Sequence, residues 1–164
     1  MKQRINYLNR LAEMTFKIVC VGRIKETYYT DMIDAYKRQI GRKHELVIIQ
    51  HEDEKIPQNA SDTIKKKIVD TESHKCMESI GKSEYVIALC INGKKCTTEL
   101  LREKIRQAED RGITTVTFLI GGSLGMSDEL IRKADFKLSY SNMTFPHQLM
   151  RVMLLDQLQI ICDM

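Results

Sequence analysis

Two uninterrupted apolar runs constrain the fold of this 164-residue chain more than any other feature of its sequence. They cover Tyr85–Ile91 and Thr114–Ile120, and neither contains a charged side chain. Strands with this pattern are typically covered by helices on both faces, as in parallel sheets. Because parallel neighbours must be joined by a crossover connection, helices are expected between the strands. The runs therefore predict an α/β fold.

The rest of the chain supplies the expected alternation of strands and helices. Further strands are predicted at Thr15–Val21, Glu45–Gln50 and Phe136–Ser139. The predicted helices cover Glu26–Ile40, a long segment after Ser61, Thr98–Asp110, a short segment after Ser127, and His147 to about Cys162. This order predicts one α/β domain with a largely parallel sheet flanked by helices.

Apolar residues at helical spacing predict which side of three of these helices faces the sheet. The stripes consist of Met32, Ile33, Tyr36 and Ile40 in the first helix; Ile64, Ile68, Val69, Met77 and Ile80 in the second; and Leu101, Ile105 and Ala108 in the third. Gly41 suits the end of the first helix, and Gly112 stands just beyond the third. Lys65–Lys67 then lie mainly on the solvated side of the second helix, with an RNA-binding patch as the alternative.

Met14 stands directly before the first predicted strand, and we take it as the start of a single domain covering residues 14–164. Residues 1–13 are treated as an N-terminal extension. Its residues Ile5, Leu8 and Leu11 have helical spacing. The extension is therefore either a short appended helix or the product of an upstream start.

Composition narrows the partners and the compartment. The net charge of +4 permits a nucleic-acid partner without indicating one. No apolar run is long enough for a membrane span, and the first residues do not resemble a secretory signal, so we expect a cytoplasmic protein without membrane contact. The five cysteines are odd in number and lack the close spacing of zinc or redox motifs, which predicts free thiols and no metal site.

Three loops are candidate sites, because ligands of open α/β sheets collect where the carboxyl ends of strands meet. They are Ile91–Lys94, which contains the turn pair Asn92-Gly93, then Gly121–Gly125, and finally Tyr140–His147. The glycine loop matches neither the Walker A pattern nor the dinucleotide-binding pattern. Its glycines let the backbone approach a ligand closely, or they serve only a tight turn.

His147 and Arg151 are four residues apart and so share a face at the start of the last predicted helix. Pro146 suits the first turn, where its missing N–H costs nothing. The backbone donors at such a position favour a carboxylate or a phosphate. The alternative is an ordinary first-turn histidine together with a solvent-facing arginine.

The last helix is apolar nearly all round its axis. Between Leu149 and Ile161 only four residues are polar, namely Arg151, Asp156, Gln157 and Gln159. A helix of this kind must be covered on most of its sides. In a small domain this predicts packing on the sheet with one face and on a second subunit with another, and hence a dimer.

Several spaced motifs resemble one known family in the same order along the chain. The most specific is LSYSNMTFPHQLMRV at residues 138–152, preceded by FLIGG at residues 118–122. CVGRIK at residues 20–25 and ALCINGK at residues 88–94 agree as well. Together they resemble the RlmH family of SPOUT-class 23S rRNA pseudouridine N3-methyltransferases, over about Met14 to Ile160.

The resemblance implies a SPOUT-type sheet flanked by helices, with a C-terminal trefoil knot formed by the last two loops and the closing helix. In this family the methyl donor S-adenosylmethionine lies in the knot and is held mainly by backbone groups. The matching motifs assign its contacts to Leu89, Gly121, Tyr140, Ser141, Asn142, Met143, Thr144 and Phe145. The family also implies a homodimer, and a pseudouridine of large-subunit rRNA that is methylated on the assembled ribosome.

Methyl transfer to a ring nitrogen requires the donor to be held in line with that atom, and the nitrogen must lose its proton. His147 and Arg151 are the candidate catalytic residues for this assistance. Arg151 has two alternative roles, because it could bind an RNA phosphate or brace the knot.

The resemblance also identifies two differences from the family. Its members usually continue past the closing helix with a short Tyr-His-basic tail, which lies near the partner's cofactor site and is implicated in substrate handling. This sequence ends at Met164 without that pattern, and Leu124 stands where Asn, Asp or Glu is frequent. The alternatives to an active enzyme are an impaired relative that binds cofactor or ribosome without methyl transfer, and an unrelated α/β nucleotide-binding protein.

Overall fold

A computed structural model describes residues 11–164 of the chain. Ile5 and Leu8, and with them the predicted appended helix, lie outside the described residues. The elements are β1 (Thr15–Val21), α1 (Thr27–Ile40), β2 (Glu45–His51), α2 (Asp62–Glu78), β3 (Tyr85–Lys95), α3 (Thr98–Asp110), β4 (Thr115–Ile120), α4 (Asp128–Arg132), β5 (Phe136–Ser139) and α5 (His147–Asp163). The predicted alternation of strands and helices is confirmed.

The five strands form one sheet in the order β2-β1-β4-β3-β5, and every neighbouring pair is parallel. Ile18 in β1 lies opposite Ile48 of β2 on one side and Phe118 of β4 on the other. The apolar runs of β3 and β4 are adjacent near the middle of the sheet, where both faces are covered. The predicted α/β class with a parallel sheet is therefore confirmed, whereas the trefoil knot stays a prediction.

Helices cover both faces of the sheet. On one face, α1, α3 and α5 pack against strand residues such as Phe16 and Phe118, which are fully buried. On the other face, Cys76 of α2 and Leu130 of α4 pack against Val19 and neighbouring strand residues. The hydrophobic core is thus divided into two layers by the sheet.

Side-chain caps fix where the helices begin. The hydroxyl oxygen of Ser61 accepts a hydrogen bond from the backbone N–H of Ile64, at 3.3 Å, and that of Ser127 accepts one from Leu130 at 3.1 Å. Each bond satisfies a backbone donor that has no partner inside its helix. The predicted starts of these two helices are confirmed.

Two stripe residues are not buried as predicted. Met32 is 44% exposed because it lies at the edge of the α1 stripe, beside Ile160 of α5. Ile64 is 43% exposed because the first turn of α2 is solvated and its buried face begins only at Ile68. Lys65–Lys67 are exposed, as predicted for a solvated side.

The predicted turn at Asn92-Gly93 is wrong in one respect, since β3 does not end there. The strand continues to Lys95, and its register with β5 shifts between Leu89 and Lys94, both of which lie opposite Leu138. The four residues between them form a bulge. Within residues 11–164, no helix is both long enough and apolar enough to cross a bilayer.

Candidate functional site

A cleft of about 740 Å³ lies at the carboxyl ends of β3, β4 and β5. Its walls come from residues 89–91, 120–126, 131, 138–141, 143–147 and 150. All three loops chosen from the sequence contribute to it, because parallel strands present their carboxyl ends at the same edge of the sheet. Its volume is that of a typical small-molecule site.

The lining of the cleft is apolar with scattered hydroxyl and backbone groups. None of its described residues is Asp, Glu, Lys or Arg, and His147 is its one imidazole. A ligand here would be held by shape and backbone hydrogen bonds rather than by ion pairs. No three His, Cys, Asp or Glu side chains within residues 11–164 are grouped as metal ligands would be.

The glycine loop forms one wall of the cleft and is also a tight turn. A Cβ atom on Gly121 would lie only 2.8 Å from the carbonyl carbon of Gly125 and 2.8 Å from Cγ of Met126. Gly125 has φ +86°, a region that L side chains rarely adopt. The turn therefore needs its glycines, as one alternative from the sequence has it, while close approach of the backbone to a ligand stays a prediction.

A buried carboxylate behind this loop was not predicted from the sequence. Glu72 of α2 is 4% exposed, and its Oε1 accepts a hydrogen bond from the backbone N–H of Glu54 at 2.8 Å. A Cβ atom on Gly122 would lie 3.0 Å from its Oε2. Burial raises the pKa of this carboxyl group. The one available signal of its burial in the sequence was the four-residue spacing of Ile68, Glu72 and Cys76, which places Glu72 on the same face of the helix as two apolar residues.

The third loop is shaped by its own serines. The hydroxyl of Ser139 donates to the carbonyl oxygen of Ser141 at 3.0 Å, and Oγ of Ser141 accepts from the N–H of Met143 at 3.1 Å. The hydroxyl of Tyr140 is buried without a hydrogen-bond partner among the described residues, and burial raises its pKa. Asn142 is exposed and does not line the cleft.

Of the eight residues assigned to the methyl donor, the cleft thus brings together all except Asn142. The seven that line it are Leu89, Gly121, Tyr140, Ser141, Met143, Thr144 and Phe145.

His147 lines the cleft at the first turn of α5. Burial, and then the positive charge of Arg151, lower the pKa of its imidazole. Gly22, with φ +90°, packs against the ring, because a Cβ atom there would lie 3.2 Å from Nε2 of His147. The imidazole is therefore held between the end of β1 and the cleft, with its neutral form favoured.

Arg151 is not solvent-facing, so that alternative from the sequence is wrong. The residue is 2% exposed, and its Nη2 donates to the carbonyl oxygens of Val21 and Gly22 at 2.6 and 2.8 Å. Its Nη1 donates to Oε1 of Gln50 at 3.0 Å. These acceptors stand at the ends of β1 and β2 and draw the arginine inward. Arg151 does not line the cleft.

Comparison with known proteins relates residues 14–160 to a family model described as "Predicted SPOUT methyltransferase". The chain is 44% identical to the ribosomal RNA large subunit methyltransferase H of Clostridioides difficile (strain 630) and 42% identical to that of Bifidobacterium animalis subsp. lactis (strain AD011). Each match covers 88% of this chain and 91% of the relative.

Solved structures extend the likeness of the fold. A probable methyltransferase from Bordetella pertussis Tohama I matches with a TM-score of 0.54 at 11% identity, over 92% of this chain and 96% of that one. A probable methylase family protein from Haemophilus influenzae Rd KW20 matches with a TM-score of 0.53 at 10% identity, over 90% of this chain and 66% of that one. At these identities the matches concern the fold alone.

Proposed function

We propose that the chain transfers a methyl group from S-adenosylmethionine to N3 of a pseudouridine in 23S rRNA. The chain belongs to the SPOUT methyltransferase family and, within it, to the ribosomal RNA large subunit methyltransferases H. The observation that carries the proposal is the cleft at the ends of β3, β4 and β5. Seven of the eight residues that the family motifs assign to the methyl donor line it.

The cleft has properties that suit S-adenosylmethionine. Its volume of about 740 Å³ is within the range of pockets for ligands of this size. Gly121 lets the glycine loop fold tightly against the strand end, since a Cβ atom there would lie 2.8 Å from Gly125 and Met126, and the folded loop forms one wall of the cleft. Leu89, the glycine loop and residues 140–145 would hold the donor, which supplies an activated methyl group on a positively charged sulfur.

His147 is our candidate for removing the proton from the target nitrogen. It reaches the cleft, and its lowered pKa keeps the imidazole neutral and able to accept a proton near neutral pH. We assign Arg151 a positioning role, because its guanidinium is committed to Val21, Gly22 and Gln50 and contributes nothing to the lining of the cleft. It would act through His147, whose helix it fastens to β1.

The remaining parts of the proposal follow from the family. The chain would act in the cytoplasm as a homodimer, on the assembled ribosome, with its closing loops threaded as a trefoil knot. A partly exposed side of α5 supports the dimer, since Met153 is half-buried and Ile160 is 43% exposed.

A methyl-transfer assay tests the function. Purified protein is incubated with ribosomes from a strain that lacks the enzyme and with methyl-labelled S-adenosylmethionine, and nucleosides of the rRNA are analysed by mass spectrometry. The expected product is one N3-methylated pseudouridine in 23S rRNA. Label on a different nucleoside would contradict the specificity. Binding of S-adenosylmethionine without any labelled rRNA would favour the impaired relative instead.

A further inference from the structure

The bulge in β3 lies at the mouth of the cleft. After Leu89 the strand leaves its register with β5 and regains it at Lys94, so residues 90–93 have no register partner on β5. Gly93 permits the return, because a Cβ atom there would lie 2.6 Å from the carbonyl carbon of Leu138. Bulges beside active sites commonly re-aim side chains, and this one places Cys90 and Ile91 along the cleft.

Two large apolar side chains at this mouth are exposed. Ile91 on the bulge is 50% exposed and Met143 on the third loop is 67% exposed, and both line the cleft. We call this pair the apolar lip. Neither position needs an apolar residue for the core, so the lip is available to a ligand that covers the cleft from outside.

Three exposed lysines follow the same edge of the sheet. Lys94 and Lys95 lie on β3 opposite Leu138 and Ser139, which line the cleft, and Lys137 lies on β5 opposite Ala88. None of the three forms an ion pair within 4.0 Å among the described residues. We call these lysines the basic edge. It carries three positive charges beside a cleft whose described lining has no carboxylate.

We propose that the apolar lip and the basic edge form the RNA-docking face of the enzyme. The basic edge neutralises phosphates that flank the target nucleotide, and the apolar lip packs against the target base as it enters the cleft. Phosphate contacts give affinity without reading sequence, while apolar contacts suit the flat faces of an unstacked base. The inference rests on the proposed function, since it names the side from which the RNA approaches the same cleft.

Lysine on an edge strand, such as Lys137 on β5, has another established use, which is to discourage pairing with the edge of a second sheet. That role requires no RNA and predicts no effect on substrate binding. The two roles are therefore distinguished by measuring binding of the RNA substrate rather than solubility.

The test compares two double charge reversals, Lys94→Glu with Lys95→Glu and, as a control, Lys65→Glu with Lys67→Glu. All four lysines are exposed, so the two variants change the net charge of the surface equally. For each variant we would measure KM for ribosomes, the Kd of S-adenosylmethionine by calorimetry, and the salt dependence of ribosome binding by sedimentation. Thermal unfolding checks that both variants are folded.

The basic-edge variant should raise KM for ribosomes by about tenfold or more. The slope of the logarithm of the binding constant against the logarithm of the salt concentration should become less steep by about one for each lysine–phosphate interaction that is removed. Its Kd for S-adenosylmethionine should stay within about twofold of wild type, since phosphate contacts act on the RNA alone. The control variant should change neither quantity. A milder Lys94→Gln with Lys95→Gln variant, expected to give a smaller effect in the same direction, replaces the reversal if that one does not fold.

The docking face is wrong if the basic-edge variant binds ribosomes as wild type does, or if the control variant is weakened as much. Failure of the proposed function has a different signature, because the wild-type chain would then transfer no methyl group. Sedimentation with ribosomes still decides the docking face in that case. Wild-type binding that does not depend on Lys94 and Lys95 contradicts it with or without catalysis.

Discussion

Nη2 of Arg151 lies 2.6 Å from the carbonyl oxygen of Val21, and this contact joins the last helix to the end of the first strand across 130 residues of chain. The same nitrogen donates to Gly22 at 2.8 Å. At the end of β1 the buried guanidinium supplies hydrogen-bond donors to carbonyl groups that water does not reach. His147, one helical turn earlier, is thereby held at the cleft.

Replacing Arg151 with methionine should lower the free energy of unfolding by about 2–4 kcal/mol. The variant loses three charge-assisted hydrogen bonds and leaves the carbonyl groups of Val21 and Gly22 buried without a donor. Urea unfolding at a fixed protein concentration, followed by circular dichroism, measures the change. Arg38→Met on the exposed side of α1 is the control, with an expected decrease below about 0.5 kcal/mol. Equal decreases in the two variants would rule out the bracing role.

The lowered pKa of His147 should make stability fall in acid. Because the folded-state pKa lies below the unfolded value of about 6.5, the unfolded chain binds more protons between the two values. Well above pH 6.5 the imidazole is neutral in both the folded and the unfolded chain, so the lowered pKa does not affect the free energy of unfolding. That free energy decreases as the pH falls through about 6.5 towards the folded-state pKa. Burial also lowers the pKa of His44, which contributes in the same direction. A His147→Gln variant should therefore lose less stability than wild type between about pH 7 and pH 5, and an unchanged pH profile would contradict the shift.

The same His147→Gln variant should lose methyl-transfer activity. Removing a general base typically lowers kcat by about 10²–10⁴-fold. The acid limb of the pH–rate profile, which reports protonation of the imidazole, should vanish with it, whereas the Kd of S-adenosylmethionine should change little. A retained acid limb in the variant would assign that protonation to another group.

The sequence was sufficient to predict elements whose pattern reflects local contacts. β1 and β5 have the predicted limits, and the convergence of the three loops follows from parallel strand direction. The burial of Arg151 could not be predicted, because it depends on unpaired carbonyl groups far away in the chain. The same holds for Glu72, whose partner is the N–H of Glu54 in a separate loop. A polar residue on a helix gives no sign of such a distant donor.

Gly121→Ala should weaken binding of S-adenosylmethionine by about tenfold or more. The added Cβ atom would lie 2.8 Å from backbone of Gly125, and relieving such overpacking costs about 1–3 kcal/mol and displaces the wall of the cleft. Gly112→Ala is the control, since its φ of +74° makes the substitution strained while nothing lies within 4 Å of the new atom. It should lose about 1 kcal/mol of stability and keep its affinity in calorimetry. Similar Kd values for the two variants would show that the glycine loop does not shape the site.

Ile160→Asp should convert the predicted dimer to a monomer. Leu154, Leu155 and Leu158 are buried in the core of the chain itself. Of the apolar sides of α5, the side that carries Ile160 is therefore left for a partner. A charge introduced on the side of α5 that a partner covers would lose its water on association without gaining a compensating contact, and its burial is costly. Ile64→Asp on α2 is a matched control, because Ile64 and Ile160 are each 43% exposed. Sedimentation velocity at micromolar concentration should give a dimer for wild type and Ile64→Asp and a monomer for Ile160→Asp. A monomeric wild type would remove the dimer from the proposal, while dimers of all three would place the interface on a different surface.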